Sequence, residues 1–149
     1  MFEQILFSEH VEVLNFLSPA SQTVAQTLTR SKADKHTRIA VLLAVGAITA
    51  SGTLDMTVKQ ATLVSGGSTK NITNKAGGTL GFTQVTQAGG GSNKVYVVEF
   101  RTGALDPAYP FIDVVVTPAV AAAIFGVYVL GVDPKYAPVT QTNWSQANY

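Results

Sequence analysis

The side chains able to do chemistry are few and scattered. His10 and His36 stand 26 positions apart in segments of different character, and a histidine base needs a nucleophile beside it and a third group to orient it. No GxSxG turn or comparable elbow serves either one, so both are read as exposed or turn histidines. The chain has no cysteine, which excludes disulfides, thiolate metal sites and a cysteine nucleophile. That absence fits either a reducing compartment or a particle that must survive outside a cell. HExxH, CxxC and the EF-hand loop are also missing, so no metal site is predicted. Asp106 and Asp113 are the carboxylates that folding would have to bring together for paired-acid hydrolysis, but Asp106-Pro107 reads as a turn. Ser65-Gly66-Gly67-Ser68-Thr69-Lys70 lacks the GxxxxGK[ST] spacing and the following helix of a phosphate loop. These residues predict no enzyme, no cofactor and no small-molecule substrate.

The remaining chemistry is that of contact. Arg30, Lys32, Lys35, His36 and Arg38 form a basic cluster opposed locally by Asp34. With Lys70 and Lys75 it has the charge to meet an acidic protein surface or phosphates, and it otherwise reads as solvated charge ahead of a strand. No aromatics interleave with these bases as in single-strand binders, and a net charge of +1 gives no general attraction to nucleic acid or anionic membrane. Phe2 and Ile5 at the start, and Tyr136, Trp144 and Tyr149 in the polar tail, complete the candidate assembly contacts, because aromatics supply much of an interface's contact energy. Trp144 is the sole tryptophan; folding back onto its own domain is the other fate open to it.

The elements that must carry these residues are strands. Short apolar runs rich in Val, Ile, Thr and aromatics are separated by glycine, proline and serine clusters. Val11 to Phe16 reads as a strand closed by Ser18-Pro19. Arg38 to Ile48 is too uniformly apolar to have a wet face and predicts a central strand buried on both sides. Thr53 to Ala61 alternates, with Leu54, Met56 and Val58 inward, and Ser51-Gly52 suggests a hairpin with the strand before it. Lys94 to Arg101, Phe111 to Thr117 (stopped by Pro118) and Ala123 to Val132 follow, the last with Gly126 marking a bulge or a close backbone approach. Ala119 to Ala123 is the one place where a helical turn is expected.

Residues 65–93 hold eight of the thirteen glycines and read as glycine-rich loops or a protruding hairpin with one or two edge strands; a disordered insertion is the alternative. The organisation is thus a β domain over 1–132 and a C-terminal extension over 133–149. About seven strands in one domain of 149 residues predict an all-β sandwich, jelly roll or small barrel.

Composition constrains the role. The chain is 46% hydrophobic and only 13% charged, about half the usual charged share, so either other subunits cover part of the surface or Thr, Ser, Asn and Gln replace charge there. Ile39 to Ile48 and Ala119 to Val132 fall short of the ~18 apolar residues of a membrane span. The opening MFEQILFSEH has Glu3 where a secretory signal carries positive charge, and it is expected to be mature sequence.

EQILFSEHVEVL, KHTRIAVLLAVGAITASGTLDMTVKQAT, KVYVVEFRTGALD and VYVLGVDPKYAP resemble small virion proteins of tailed bacteriophages, most of all head decoration (cement) proteins. The resemblance spans most of residues 3 to 138. It implies a β domain on the capsid exterior, often a trimer, that binds itself and the major capsid subunits. It also implies a virion location, with host cytoplasm as the site of assembly. A head-to-tail connector or tail subunit is the alternative of the same kind. A carbohydrate-binding module, with Tyr109, Tyr128 or Trp144 stacking on sugar, is the alternative of another class, although most aromatics fall in apolar strand runs where burial is expected.

Overall fold

The computed structural model describes residues 7–73 and 77–136. Among the described residues one helical turn, α1 (Phe7–His10), is followed by ten strands: β1 (Val11–Gln22), β2 (Gln26–Thr27), β3 (Ser31–Lys32), β4 (His36–Ile48), β5 (Thr53–Ala61), β6 (Thr69–Asn71), β7 (Gly81–Thr86), β8 (Lys94–Arg101), β9 (Phe111–Ala119) and β10 (Ala123–Pro134). Seven of them have six or more residues, in keeping with the strand count expected from sequence.

They form two antiparallel sheets. Sheet A has the order β1-β10-β4-β8; in sheet B β9 lies beside β5, with β2 and β3 along the outer edge of β9 and β6 and β7 along the outer edge of β5. Taking β2 with β3, and β6 with β7, as single positions gives eight positions in chain order. The first, eighth, third and sixth make one sheet, and the second, seventh, fourth and fifth make the other. That alternation between sheets is the strand order of a jelly roll, an all-β sandwich.

Alternation of side chains on each strand builds the core. Ile39, Val41 and Leu43 of β4 and Phe125, Val127 and Val129 of β10 meet Leu54, Met56 and Val58 of β5 and Ile112, Val114 and Val116 of β9, all of them buried. Removing each from water contributes about 1.5–3 kcal/mol. The pattern expected for Thr53 to Ala61 is found as read, with Leu54, Met56 and Val58 inward.

Several boundaries differ from the sequence reading. β1 does not stop at Ser18-Pro19: it runs on to Gln22 through two register shifts, and an edge strand accommodates proline because one side needs no N–H. β9 likewise includes Pro118, which lies beyond the last residue pairing with β2. Ser51-Gly52 does not close a hairpin, because β4 and β5 lie in different sheets and the turn carries the chain across the sandwich. Ala119 to Ala123 forms no helical turn. The Ala121 amide bonds the Ala119 carbonyl at 2.8 Å, and Val120 turns the chain at a φ of 69°, handing it from β9 in one sheet to β10 in the other.

Within the glycine-rich residues 65–93, β6 and β7 each pair with half of β5, and Ile72 and Val85 enter the core. Arg30 pins the preceding loop: its guanidinium donates to the carbonyls of Leu63 and Gly66 and, through Nε, to Asp113 Oδ1 at 2.8 Å. No helix among the described residues is long and apolar enough to cross a membrane.

Candidate assembly surface

The outward positions of the two sheets differ. In sheet B, Asp55 stands opposite Thr117, Thr57 opposite Val115 and Lys59 opposite Asp113. In sheet A, strand register lines up Phe16, Tyr128, Leu42 and Val97 in one row across all four strands. Val13, Leu130, Ala40 and Glu99 form the row beside it. On the other side, Gly126, Ala44 and Val95 form a third.

This face is uncovered among the described residues. Phe16 is 45% exposed, Val95 61%, Val97 53% and Ile124 40%, while Leu42, Ala44, Tyr128 and Leu130 are half-buried by their neighbours. Phe16 and Tyr128 stack with ring centroids 6.4 Å apart and planes 11° apart. The face is flattened at Gly126, where a side-chain carbon would stand 2.8 Å from Pro19 Cγ and 3.0 Å from the Leu17 carbonyl, a close approach of the kind the sequence suggested. Ile124 lies over Gly46 in the same way, 3.1 Å from where a side chain would begin.

One end of the face is closed by ions. Arg38 donates from Nη1 to Glu99 Oε1 at 2.8 Å and from Nε to Asp133 Oδ2 at 2.8 Å. These hydrogen bonds raise the Arg38 pKa, and that from Arg38 holds the Asp133 carboxyl below its ordinary range, with a smaller contribution from His10. His10 Nδ1 lies 3.4 Å from Asp133 Oδ1.

The basic cluster does not form as one patch. Arg30 pairs with Asp113 against sheet B, Lys32 with Asp34 at 2.6 Å, and Arg38 with the two acids just named; Lys35 is exposed. His36, expected to be exposed or in a turn, is fully buried. Its ring packs on Gly131, where a side-chain carbon would come within 2.5 Å of Nδ1, and Glu12 Oε2 lies 3.2 Å from Nε2. Desolvation lowers the His36 pKa; Glu12 and Asp34 oppose the shift, whereas Lys35 and Lys135 add to it. Asp106 and Asp113 form no paired-acid site, since Asp106 binds Lys70 at 2.9 Å and Asp113 binds Arg30. No group of three or more metal-ligating side chains occurs among the described residues. Tyr136 is 79% exposed just past β10. Phe2, Ile5, Trp144, Tyr149 and most of the proposed C-terminal arm lie outside the described residues.

Sequence reasoning passed over Phe16, Leu42, Val95, Val97 and Leu130 as contacts and named Tyr128 only for sugar stacking, although their signal as an assembly face was present. Apolar residues at both parities in Arg38 to Ile48 and in Val95 to Val98 predict burial on both sides of a sheet. β4 is central as expected, but the sandwich covers only its inner side.

No protein-family model matches the sequence, and no curated protein matches it. Among solved structures, the coat protein of tobacco streak virus aligns over 98% of this chain and 100% of its own, with 10% identity and a TM-score of 0.39. The CBM22-1-GH10 modules of Clostridium thermocellum xylanase 10B, solved with xylohexaose, align over 89% of this chain and 28% of theirs, at 8% identity and a TM-score of 0.36. The VP2 subviral particle of infectious bursal disease virus aligns over 85% of this chain and 41% of its own, at 16% identity and a TM-score of 0.30. Two of the three come from viruses; with TM-scores below 0.5, these likenesses decide neither family nor role.

Proposed function

We propose that this protein is a non-enzymatic virion structural subunit that decorates and stabilises a phage capsid exterior, with the outer face of sheet A as its assembly surface. The observation that carries the reading is that face: a jelly-roll sheet patterned for burial on both sides and covered on one. The missing cover is supplied by another subunit, which also accounts for the low charged fraction. Jelly rolls are a recurrent architecture of viral capsid domains, and the sequence resemblance points the same way. Each contact contributes modestly, and repetition over a shell multiplies it.

A connector or tail subunit would use the same face in a ring or tube. Sugar binding is the weaker reading even though Phe16 and Tyr128 stack on an open sheet, because their neighbours Leu42, Val97 and Leu130 offer a sugar no hydrogen-bonding groups.

Electron cryomicroscopy of particles of the virus that encodes the chain tests the proposal. Many copies of this jelly roll over the capsid, each with Phe16, Leu42 and Tyr128 against another subunit, is the expected result. Density confined to the portal or tail selects the connector reading, and absence from purified particles overturns both.

A further inference from the structure

The two edges of sheet A are not alike. β1, at one edge, is broken by two register shifts and carries Pro19, devices that keep an edge strand from pairing with another chain. β8, at the other edge, has none of them. Its eight residues pair with β4 from Arg38↔Arg101 to Val45↔Lys94 without a shift, no other strand among the described residues pairs with it, and its outward-facing Val95 and Val97 are the most exposed side chains of the apolar face. A long, regular, apolar edge is a template for strand addition.

We propose that β8 pairs antiparallel with β8 of a second copy of this chain, about a two-fold axis through Val97, to make one continuous eight-stranded sheet. The charges along β8 choose that register. With the axis at Val97, Glu99 stands opposite the second copy's Val95, Arg101 opposite its Asn93 and Lys94 opposite its Phe100, so no like charges face each other. Moving the axis to Val98 brings the two Glu99 carboxylates to diagonal positions, and moving it to Glu99 places them directly opposite, both of which are unfavourable. Moving it toward Arg101 matches Glu99 with Arg101 but leaves an overlap of a few residues. The Val97 register pairs Lys94 to Phe100, seven of the eight residues of β8, and groups four exposed valines, Val95 and Val97 from each copy, on the apolar face.

Continuity with that face adds to the contact. At ~4.8 Å between strands and ~3.3 Å per residue, the open face of one sheet A measures roughly 19 by 23 Å. Joining two gives a face of about 900 Å², larger than the patches of about 300–600 Å² usual on monomers. The pairing rests on sheet A being an assembly surface, but not on its place in a capsid. A two-fold contact also differs from the threefold association that the decoration resemblance implies, which needs two unlike surfaces to meet.

Because the chain has no cysteine, a single introduced thiol reports its neighbour cleanly. The full-length Val97→Cys variant, treated with a short thiol-to-thiol cross-linker, is expected to give a covalent dimer, and Thr117→Cys on the outer face of sheet B is expected to stay monomeric. Sedimentation of the unmodified chain should show a reversible dimer, and Val97→Lys should weaken it by about tenfold or more by setting two cations opposite each other, with the melting temperature unchanged at concentrations low enough for both chains to be monomeric. Equal cross-linking from Val97→Cys and Thr117→Cys, or a dimer that tolerates Val97→Lys and cross-links through Tyr128→Cys instead, overturns the pairing. So does a monomer whose Tyr96 and Val98 amides, which point away from β4 because Asn93, Val95 and Val97 are the residues bonded to it, are as protected from hydrogen exchange as those of β4, since a segment of the same chain then occupies the edge. A monomer that still binds particles through the sheet A face overturns the edge pairing and leaves the assembly reading standing.

Discussion

On the outside of sheet B, Asp55, Thr57 and Lys59 stand beside Thr117, Val115 and Asp113; on the outside of sheet A, Phe16, Tyr128, Leu42 and Val97 stand in a row. The inward residues of the two sheets are interchangeable in kind, a set of Ile, Leu, Val, Met and Phe that forms one core. Folding therefore accounts for the inside of both sheets and for the polar outside of sheet B. It does not account for the outside of sheet A, where Thr or Lys would serve a solitary domain equally well. That difference is the ground on which the second face is proposed as a surface for association.

The largest effect breaks the ground common to both faces. Phe125 is fully buried between the sheets, and Phe125→Ala should lower unfolding free energy by about 3–5 kcal/mol in urea titrations. Next, Arg30→Met strikes sheet B alone. It leaves the nearly buried Asp113 without its cation, and the loss should reach up to about 3 kcal/mol. Amides of Thr62 and Ser68 should exchange faster with solvent while those of β4 and β10 keep their protection; equal loosening of both sheets contradicts this.

Sheet A carries its own pH dependence through His36. Burial lowers its pKa from the ordinary 6.5, so the unfolded chain binds the proton more readily than the folded one. Stability is complete above about pH 6.5 and declines as pH falls below it, by at most about 1.4 kcal/mol per pH unit for one proton. Thermal melts across this range should show the decline, and His36→Asn should flatten it. The smallest effects on the monomer sharpen the comparison most. Leu42→Thr and Phe16→Thr on sheet A should each change stability by less than about 1 kcal/mol yet abolish attachment to particles, whereas Thr57→Val on sheet B should alter neither. Attachment is read by co-sedimentation with particles.

Much of this fold is legible in the sequence, because strand signals are local: Leu54, Met56 and Val58 announce their own facing. The fold class and the strand count of about seven followed from such runs. Proline was over-read as a stop. Pro19 and Pro118 sit inside strands because sheet position, which is not local, decides whether a missing N–H matters. The Ser51-Gly52 turn looks the same whether it joins neighbours or crosses between sheets. His36 was misplaced for a related reason: its burial depends on Gly131, a contact 95 positions away that no local pattern encodes. The apolar face was half legible. Apolar residues at both parities said that the strands are covered twice, but nothing in one chain says that the second cover belongs to another.

β10 lies between β1 and β4, and this placement governs when the protein can come into being. A nascent chain has β1, β4 and β8 long before Ala123 to Pro134 emerges, yet β1 has no partner in its sheet and half of β4 stays unpaired until the last strand threads between them. Completion of sheet A thus waits for β10, and a chain terminated before Ala123 exposes open strand edges instead of a smaller stable domain. Such fragments should be cleared or held by chaperones, so that only chains that include β10 persist as folded protein.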